Sequence, residues 1–408
     1  MSQYHPLTPA EVIELVRDIP DFFPSSAELN CQEIGDGNLN LVFHIQDTSS
    51  GKSIIVKQAL PYAKVVGESW PLSLDRARIE RQALQEQHRL CPGLVPKVYD
   101  YDDELALTIM EDLSGYTIMR KALIEGQRFP EFAGHIGQFM ARTLFLNSDL
   151  ALGPIEKKNK VSSFINPDQC KITEDLIFDD PYRLSDNNSY SPSIEDEAEA
   201  LRADGQLHLE VALLREKFLT HAESLLHGDL HTGSIFVTDK STKVIDPEFA
   251  YYGPMGFDVG AVISNLLLNL AGQIGWIVDT STRLEQQRWL LDTSTAVWTQ
   301  FEQEFRKLWS SEALRDPLAA SPGYQDFYIT RLLQDSLGFA GCKMIRRIVG
   351  LSHVADIDTI TDPVLKERAE RLALAIGKAL VKRSRSVQSI EELQDIVLTA
   401  AADKGETL

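Results

Sequence analysis

The spacing of apolar residues changes from helical to strand-like within the first sixty positions. Val12, Leu15 and Val16 fall on one face of a short helix, which Thr8 and Glu11 can open as a capping box. Three short strands separated by glycine- and serine-containing turns follow it, at residues 31–34, 39–45 and 53–57. The pattern predicts a small antiparallel sheet near the N-terminus.

Longer helical patterns dominate the rest of the chain. A helix over residues 73–90 and two strands, at 97–100 and 105–110, complete the sheet region. We therefore expect an α+β fold with two lobes. Residues 1–113 would form a small antiparallel-sheet N-lobe that binds nucleotide. Residues 114–408 would form a larger, mostly helical C-lobe that carries the catalytic loop, the metal motif and the substrate site.

Two segments of the C-lobe need separate interpretation. Residues 151–205 are rich in Asn, Ser and acidic residues, which favours an insertion that is either a partly mobile loop or a cover for the site. Residues 256–278 are the most apolar stretch, but polar side chains interrupt it, so we predict a buried core helix and no membrane span.

Composition narrows the choice of partners and compartment. Among 408 residues, 60 acidic and 40 basic side chains give a formal charge of −20, which disfavours binding to nucleic acid or anionic membranes. The four cysteines are widely spaced without a Cys-x-x-Cys pattern, and the N-terminus lacks a basic segment followed by an apolar core. We expect a cytoplasmic protein in a reducing environment.

The strongest chemical signal is the run His227-Gly228-Asp229-Leu230-His231-Thr232-Gly233-Ser234. A β-rich hairpin follows it and ends at Asp246, so one carboxylate lies at the entry and another at the exit. Phosphoryl transfer needs such a pair, one to orient the attacking hydroxyl and one to hold Mg²⁺. Asp229 would be the catalytic base, although an aspartate that caps a turn is the simpler alternative. We expect His227 to brace the loop and assign His231 no role.

The exit of the hairpin reads Asp246-Pro247-Glu248, and its two hard oxygen donors suit Mg²⁺. A solvated turn is the alternative, but apolar residues flank the motif on both sides. Further on, Asp258 begins the apolar helix, where we expect it to cap the helix and support the catalytic loop.

Nucleotide-binding candidates lie in the sheet. The turn at residues 35–38 could contact phosphates, although hairpin turns often contain glycine and asparagine. Lys57 ends an apolar strand and could neutralise phosphate oxygens if an acidic partner held it, with Glu80 or Glu86 as candidates. Residues 110–113 follow an apolar strand at the lobe boundary, where a base would bond to backbone groups.

Arg346 and Arg347 interrupt an apolar stretch near residues 344–350. They could bind a hydroxylated sugar or neutralise charge on the transferred phosphoryl group. A salt bridge to the acidic surface is the alternative.

With these motifs in place, the chain resembles the two-lobed, protein-kinase-like superfamily. It is most similar to the aminoglycoside-phosphotransferase-like kinases of small molecules, whose loop commonly reads HGDLHxGN. The combination of residues 35–40, 68–71, 227–234 and 246–250 with the arginine pair is closer still to the 5-methylthioribose kinase family.

The resemblance implies a reaction and a role for each motif. ATP would phosphorylate the 1-hydroxyl of 5-methylthioribose in methionine salvage, in a cytoplasmic homodimer. Asp229 would contact the sugar and Arg346 and Arg347 would face it. The remaining contacts would be made to Mg²⁺–ATP by Asn40, Lys57, Glu111, Asp112, Leu113, Asp246, Pro247 and Glu248, with Asp246 and Glu248 as the metal ligands.

Two positions depart from the wider kinase pattern. Ser234 replaces the usual metal-binding asparagine, and Glu248 replaces the glycine of Asp-Phe-Gly, so Glu248 would supply the missing oxygen. Two other functions remain open: a related kinase for choline, homoserine or an aminoglycoside, and a nucleotide-binding scaffold without transfer activity.

Overall fold

The computed structural model of the chain describes residues 4–20, 22–34, 39–63 and 67–408. The turn at residues 35–38 therefore lies outside the described residues, as do the side chains of residues 68–70. The N-terminal elements are, in order, α1 (Pro9–Arg17), β1 (Leu29–Glu33), β2 (Asn40–Asp47), β3 (Ser53–Ala59), β4 (Tyr62–Ala63), β5 (Gly67–Pro71), α2 (Asp75–Leu90), β6 (Val98–Asp102) and β7 (Leu107–Glu111).

A five-stranded antiparallel sheet organises this first part of the chain, in the order β1-β2-β3-β7-β6. The predicted strands and the predicted helix over 73–90 are present. The capping box of α1 is also confirmed, because Thr8 accepts from the Glu11 backbone while the Glu11 side chain accepts from the Thr8 backbone. Val12 and Val16 pack with Phe43, Ile45 and Val56 in a small core under the sheet.

The second part of the chain is mostly helical. Its elements are β8 (Thr117–Ile118), α3 (Met119–Ile124), α4 (Phe132–Leu146), α5 (Pro154–Ser163), α6 (Pro167–Glu174), α7 (Glu195–Ala203), α8 (Gly205–Thr220), β9 (Ser224–Leu225), β10 (Ile235–Val237), β11 (Thr242–Val244), β12 (Tyr252–Gly253), α9 (Gly256–Trp276), α10 (Thr280–Trp309), α11 (Tyr324–Val349), α12 (Ala355–Asp358), α13 (Pro363–Arg383) and α14 (Glu392–Asp403). A π-helical turn, Asp175–Asp179, continues α6. The two-lobed α+β architecture is as predicted.

Helix α9 lies at the centre of the large core. Its length and apolar composition would allow a membrane span, but it is wholly enclosed by other helices, as expected of a core helix. It packs against α10 and α11, and glycines make the closest contacts. A Cβ on Gly260 would lie 2.4 Å from the carbonyl oxygen of Ser336, so α9 and α11 approach at backbone distance.

The segment at residues 151–205 differs from one of the two alternatives predicted for it. It forms α5, α6, the π-helical turn and α7, and it is not an irregular loop. Some of its polar residues are satisfied locally: buried Asp180 accepts hydrogen bonds from Arg183, Ser185 and Asn187. Part of the polar content of the segment therefore serves hydrogen bonding within it.

Candidate active site

The hairpin of β10 and β11 presents carboxylates at its two ends, as predicted. Asp229 lies in the loop that leads into β10, and Asp246 lies two residues after the end of β11. Asp246 has a φ of 68°, in the left-handed region that non-glycine residues rarely adopt. Such a conformation is most often retained where the position of a side chain matters for function.

A network of hydrogen bonds fixes the loop that carries Asp229. The Asp258 carboxylate accepts from the backbone N–H groups of His227, at 2.6 Å, and Gly228, at 3.0 Å. His227 Nδ1 accepts from the Asp229 backbone N–H at 3.2 Å, and its Nε2 lies 2.9 Å from the Ile245 carbonyl oxygen. The bracing roles of His227 and Asp258 are confirmed. The predicted helix cap is wrong, because α9 has no side-chain cap at its N-terminus.

Gly228 is required by both its conformation and its surroundings. Its φ is 86°, and a Cβ at this position would lie 2.1 Å from the carbonyl oxygen of Phe249. The segment that follows Asp246 therefore packs directly against the segment that precedes Asp229. This close approach sets the separation of the two carboxylates.

Lys57 reaches across from the sheet and joins the two lobes. Its Nζ lies 2.8 Å from Glu80 Oε1 on α2 and also contacts Asp246 Oδ1. The choice between Glu80 and Glu86 is thus resolved in favour of Glu80. Glu86 pairs with Arg89 at 2.8 Å and with Lys160 at 2.7 Å. Lys57 faces the cleft that Asp229, Asp246 and Glu248 also line.

Three carboxylates surround this lysine. Oxygen atoms of Glu80, Asp246 and Glu248 all lie within 4.8 Å of one another. Burial raises the pKa of Glu80 and that of Glu248, and in both cases Asp246 adds to the effect. Although burial opposes it, the surrounding carboxylates raise the pKa of Lys57. Negative charge exceeds positive charge here, which suits a site for a cation.

Arg76 is a member of the site that the sequence reasoning missed. Its Nε lies 3.4 Å from Glu248 Oε2, and its Nη2 donates to Asn40 Oδ1 at 3.1 Å. Asn40 in turn donates to Glu248 Oε2 at 3.3 Å. Arg76 precedes Glu80 by one helical turn, and this i, i+4 spacing indicates that the two side chains share a face of α2 but does not reveal the contact with Glu248.

A cavity of about 780 Å³ connects these groups. One end lies between the sheet and the hairpin, where Val42, Ile55, Met110 and Leu113 provide apolar walls. Glu111 and Asp112 border this end, but their side chains bind protein neighbours. Glu111 pairs with Lys243, and Asp112 accepts from Ser53 and Ser114.

Pro247 lies apart from the other residues expected to contact nucleotide. It is buried and does not line the cavity, and its carbonyl oxygen accepts from the Ala250 backbone at 3.1 Å. It shapes the turn that presents Asp246 and Glu248. A direct contact between its side chain and nucleotide has no support in the geometry.

The other end of the cavity holds Asp229 together with Arg346 and Arg347 of α11. Burial lowers the pKa of both guanidinium groups. Arg347 donates to the Ser352 carbonyl oxygen at 2.8 Å. The buried Nε of Arg346 has no hydrogen-bond partner within the part of the chain that the structure describes. Arg346 is therefore available to a ligand.

Asp229 is surrounded by positive charge. Burial alone would raise the pKa of Asp229, but neighbouring His231, Arg347, Lys343 and Arg346 lower it below its ordinary value. Lys343 was not identified from the sequence. Lys343 precedes Arg347 by one helical turn and is buried. Its Nζ lies 3.6 Å from the centre of the Phe257 ring. Burial lowers its pKa to about 8.

Helix α6 covers the cavity, as the second alternative for residues 151–205 predicted. Gln169, Ile172 and Leu176 line the wall on this side. Asn166 donates to the carbonyl oxygens of Glu248, at 2.9 Å, and Ala250, at 3.2 Å. The cover is thus bound to the segment that carries Glu248.

Comparison with known proteins identifies the family to which the chain belongs. Residues 30–289 match the phosphotransferase enzyme family. The chain is 47% identical to a methylthioribose kinase of Citrobacter koseri over 393 residues, which covers 96% of this chain and 98% of that protein. A methylthioribose kinase of Geobacillus sp. is also 47% identical, and the match covers 96% of each protein. The chain belongs to the methylthioribose kinase family.

Membership of the methylthioribose kinase family agrees with the kinase-like fold that was predicted. Among solved structures, a choline kinase of Cryptosporidium parvum is similar, and the match covers 97% of this chain and 100% of the choline kinase chain. It is only 13% identical, with a TM-score of 0.46, and at that distance it supports no argument about the site.

Ser234, which replaces the usual asparagine of the loop, is buried. Its hydroxyl lies 3.2 Å from His231 Nδ1. The carboxylate of Glu248, by contrast, belongs to the acidic group around Lys57.

Proposed function

We propose that the chain is an ATP-dependent kinase that phosphorylates the 1-hydroxyl of 5-methylthioribose in methionine salvage. One observation carries the proposal: Lys57, Asp229 and Asp246 meet in a single cavity that also contains Arg346 and Arg347. A nucleotide-binding scaffold would not need the carboxylate and the arginine pair at the far end. The transfer reaction needs both.

The nucleotide would occupy the end of the cavity next to the sheet. Apolar residues there would enclose the base, which would bond to backbone groups of residues 111–113. Lys57, held by Glu80, would neutralise phosphate oxygens, and the Asn40 side chain would lie close to the same phosphates. These contacts position the γ-phosphoryl group and contribute no covalent chemistry.

The residues present fit Mg²⁺, which prefers carboxylate oxygens. Asp246 and Glu248 would hold the ion, and the excess negative charge at Glu80, Asp246 and Glu248 supports this assignment. When bound, the ion would neutralise charge on the nucleotide phosphates.

At the other end, the Asp229 carboxylate would accept a hydrogen bond from the 1-hydroxyl of the sugar and then its proton. The hydroxyl oxygen attacks the γ-phosphorus as the bond to the β,γ-bridging oxygen breaks, giving the sugar 1-phosphate and ADP. Arg346 and Arg347 would stabilise negative charge on the transferred group and bind hydroxyl groups of the sugar. Their charges favour an ionised Asp229.

The arginine pair also separates the proposal from its nearest alternatives. Choline and aminoglycosides are cations, and two buried guanidinium groups beside Asp229 would repel them.

We also propose that the protein acts as a cytoplasmic homodimer without nucleic-acid or membrane partners. Its formal charge of −20 supports the last part.

A panel of acceptors tests the proposal, with ADP release as the measurement. We expect turnover with 5-methylthioribose, and background rates with choline, homoserine and kanamycin. Coupling of the product phosphorus to the proton on C1 in NMR spectra would identify the phosphorylated hydroxyl. Turnover of choline or kanamycin without turnover of methylthioribose would refute the substrate assignment. Asp229→Asn should retain ATP binding and lose turnover by several orders of magnitude.

A further inference from the structure

His231 lies between the catalytic carboxylate and the turn that follows it. Its Nδ1 is 3.0 Å from the backbone nitrogen of Ser234, and its Nε2 is 3.3 Å from Asp229 Oδ2. The ring lines the same cavity as Asp229. Neither the sequence pattern nor the proposed mechanism gives this histidine a function.

The contact with Ser234 fixes the position of the ring proton. The Ser234 backbone N–H donates both to the His231 carbonyl oxygen, at 2.9 Å, and to Nδ1, so Nδ1 is an acceptor and lacks a proton. In a neutral imidazole the proton is then on Nε2, which faces Asp229. A doubly protonated ring would place two donors against each other at Ser234.

The surroundings of the ring favour its neutral form. Burial lowers the pKa of His231 to about 3, with Arg120 and Arg347 acting in the same direction and Asp229 opposing them. Arg120 lies behind the loop, where its Nη2 donates to Asn265 Oδ1 at 3.1 Å. The guanidinium is close to the loop, since a Cβ on Gly233 would lie 2.8 Å from its Nη1.

We propose that His231 is a positioning residue, whose Nε2–H donates to Asp229 Oδ2 and directs the other carboxylate oxygen toward the acceptor hydroxyl. The role rests on the proposed function of Asp229. The separation of 3.3 Å is long for such a hydrogen bond. Catalytic contacts of this length commonly shorten once substrate is bound.

Two substitutions separate the positioning role from a structural one. In His231→Asn, the amide oxygen can replace Nδ1 and still accept from Ser234, but the donor toward Asp229 is lost. In His231→Gln, the amide nitrogen can replace Nε2 and still donate to Asp229, but the side-chain acceptor for Ser234 is lost and only the backbone carbonyl of residue 231 remains.

We expect His231→Asn to lower kcat roughly 10- to 100-fold, since a hydrogen bond to a charged group contributes on that order. The KM for ATP should not change. His231→Gln should retain kcat within about threefold of the wild type. Its melting temperature should fall only slightly, because the Ser234 N–H loses the ring acceptor but keeps the His231 carbonyl oxygen at 2.9 Å. If Asn retained kcat and Gln lost it, or if both lost it equally, the positioning role would be wrong.

A second measurement does not depend on activity. Nitrogen-15 NMR of the histidine-labelled protein reports which ring nitrogen carries the proton, and the His231→Gln spectrum identifies the His231 signals. We expect a neutral ring protonated on Nε2 between pH 6 and 8. A ring protonated on Nδ1, or on both nitrogens, would overturn the inference. Failure of the wild type to phosphorylate methylthioribose would refute the proposed function and would leave the NMR result unaffected.

Discussion

Glu80→Gln removes the charge of the Lys57 partner and keeps an oxygen that can accept a hydrogen bond. The Glu80 side chain is only 7% exposed, and its Oε1 lies 2.8 Å from Lys57 Nζ. Removing one member of a buried ion pair usually leaves an uncompensated charge, at a cost of about 3–5 kcal/mol. Here Lys57 still contacts Asp246 and lies near Glu248, so that cost should not arise.

The direction in which Glu80→Gln changes the folding stability follows from the pKa of Glu80, which burial raises from 4.5 to about 7. A raised pKa means that the folded state favours the protonated form. The stability from this group is complete below pH 4.5 and is lost as the pH rises through 7. The difference corresponds to at most about 3 kcal/mol at 1.36 kcal/mol per pKa unit. Neighbouring carboxylates share the titration, so we expect roughly 1–3 kcal/mol.

Glu80→Gln should therefore be more stable than the wild type at pH 8, and equally stable near pH 4.5. Urea denaturation in the absence of nucleotide at the two pH values measures this difference. Activity should change in the opposite direction, because a neutral partner holds the Lys57 ammonium less firmly. We expect the KM for ATP to rise about tenfold, which corresponds to the loss of about 1.4 kcal/mol of binding free energy.

Glu86→Gln is the matched control on the same helix. Glu86 pairs with Arg89 and Lys160, and although burial opposes them, these partners lower its pKa. A carboxylate whose pKa is lowered by folding stabilises the folded state at pH values above its pKa in the unfolded state. Glu86→Gln should therefore be less stable than the wild type at pH 8. Its KM for ATP should not change. A Glu80→Gln protein less stable than the wild type at pH 8 would refute the reasoning. Equal changes in KM for both variants would also refute it.

Three further substitutions test other parts of the site. Gly228→Ala places a Cβ against the Phe249 carbonyl oxygen, so kcat should fall at least about 100-fold; a wild-type rate would contradict this. Asp258→Ala leaves two buried N–H groups without partners and should cost about 2–5 kcal/mol in urea denaturation. Arg346→Met should lower kcat/KM for the sugar roughly 100- to 1,000-fold and leave the KM for ATP unchanged in steady-state assays.

The parts of the site that the sequence predicted share a local signal. Asp229 and Asp246 flank a hairpin whose strands are apolar and whose loop follows a known motif, so their proximity follows from the hairpin itself. Lys57 and Glu80 belong to a strand and the helix that follows it along the chain. In such cases, periodicity and chain order together restrict where the side chains can meet.

Contacts between distant segments were not accessible in this way. The Arg76 contact with Glu248 joins α2 to the loop after β11, and it depends on how the two lobes close. The helices within residues 151–205 were not predicted, and the segment was expected to be a partly mobile loop or a cover for the site, because its polar composition resembles that of a solvated loop. Buried partners such as Asp180 make the same polar residues compatible with packing.

The close contact between α9 and α11 links the two halves of the acceptor site. A Cβ on Gly260 would lie 2.4 Å from the Ser336 carbonyl oxygen, so this glycine sets how near the helices come. Asp258 lies on α9 two residues earlier and holds the catalytic loop by two hydrogen bonds. Arg346 lies farther along α11 and lines the cavity beside Asp229. Because one helix pair fixes both the loop and the arginine, the distance between the proposed catalytic base and the proposed sugar-binding arginine depends on a packing contact that touches neither.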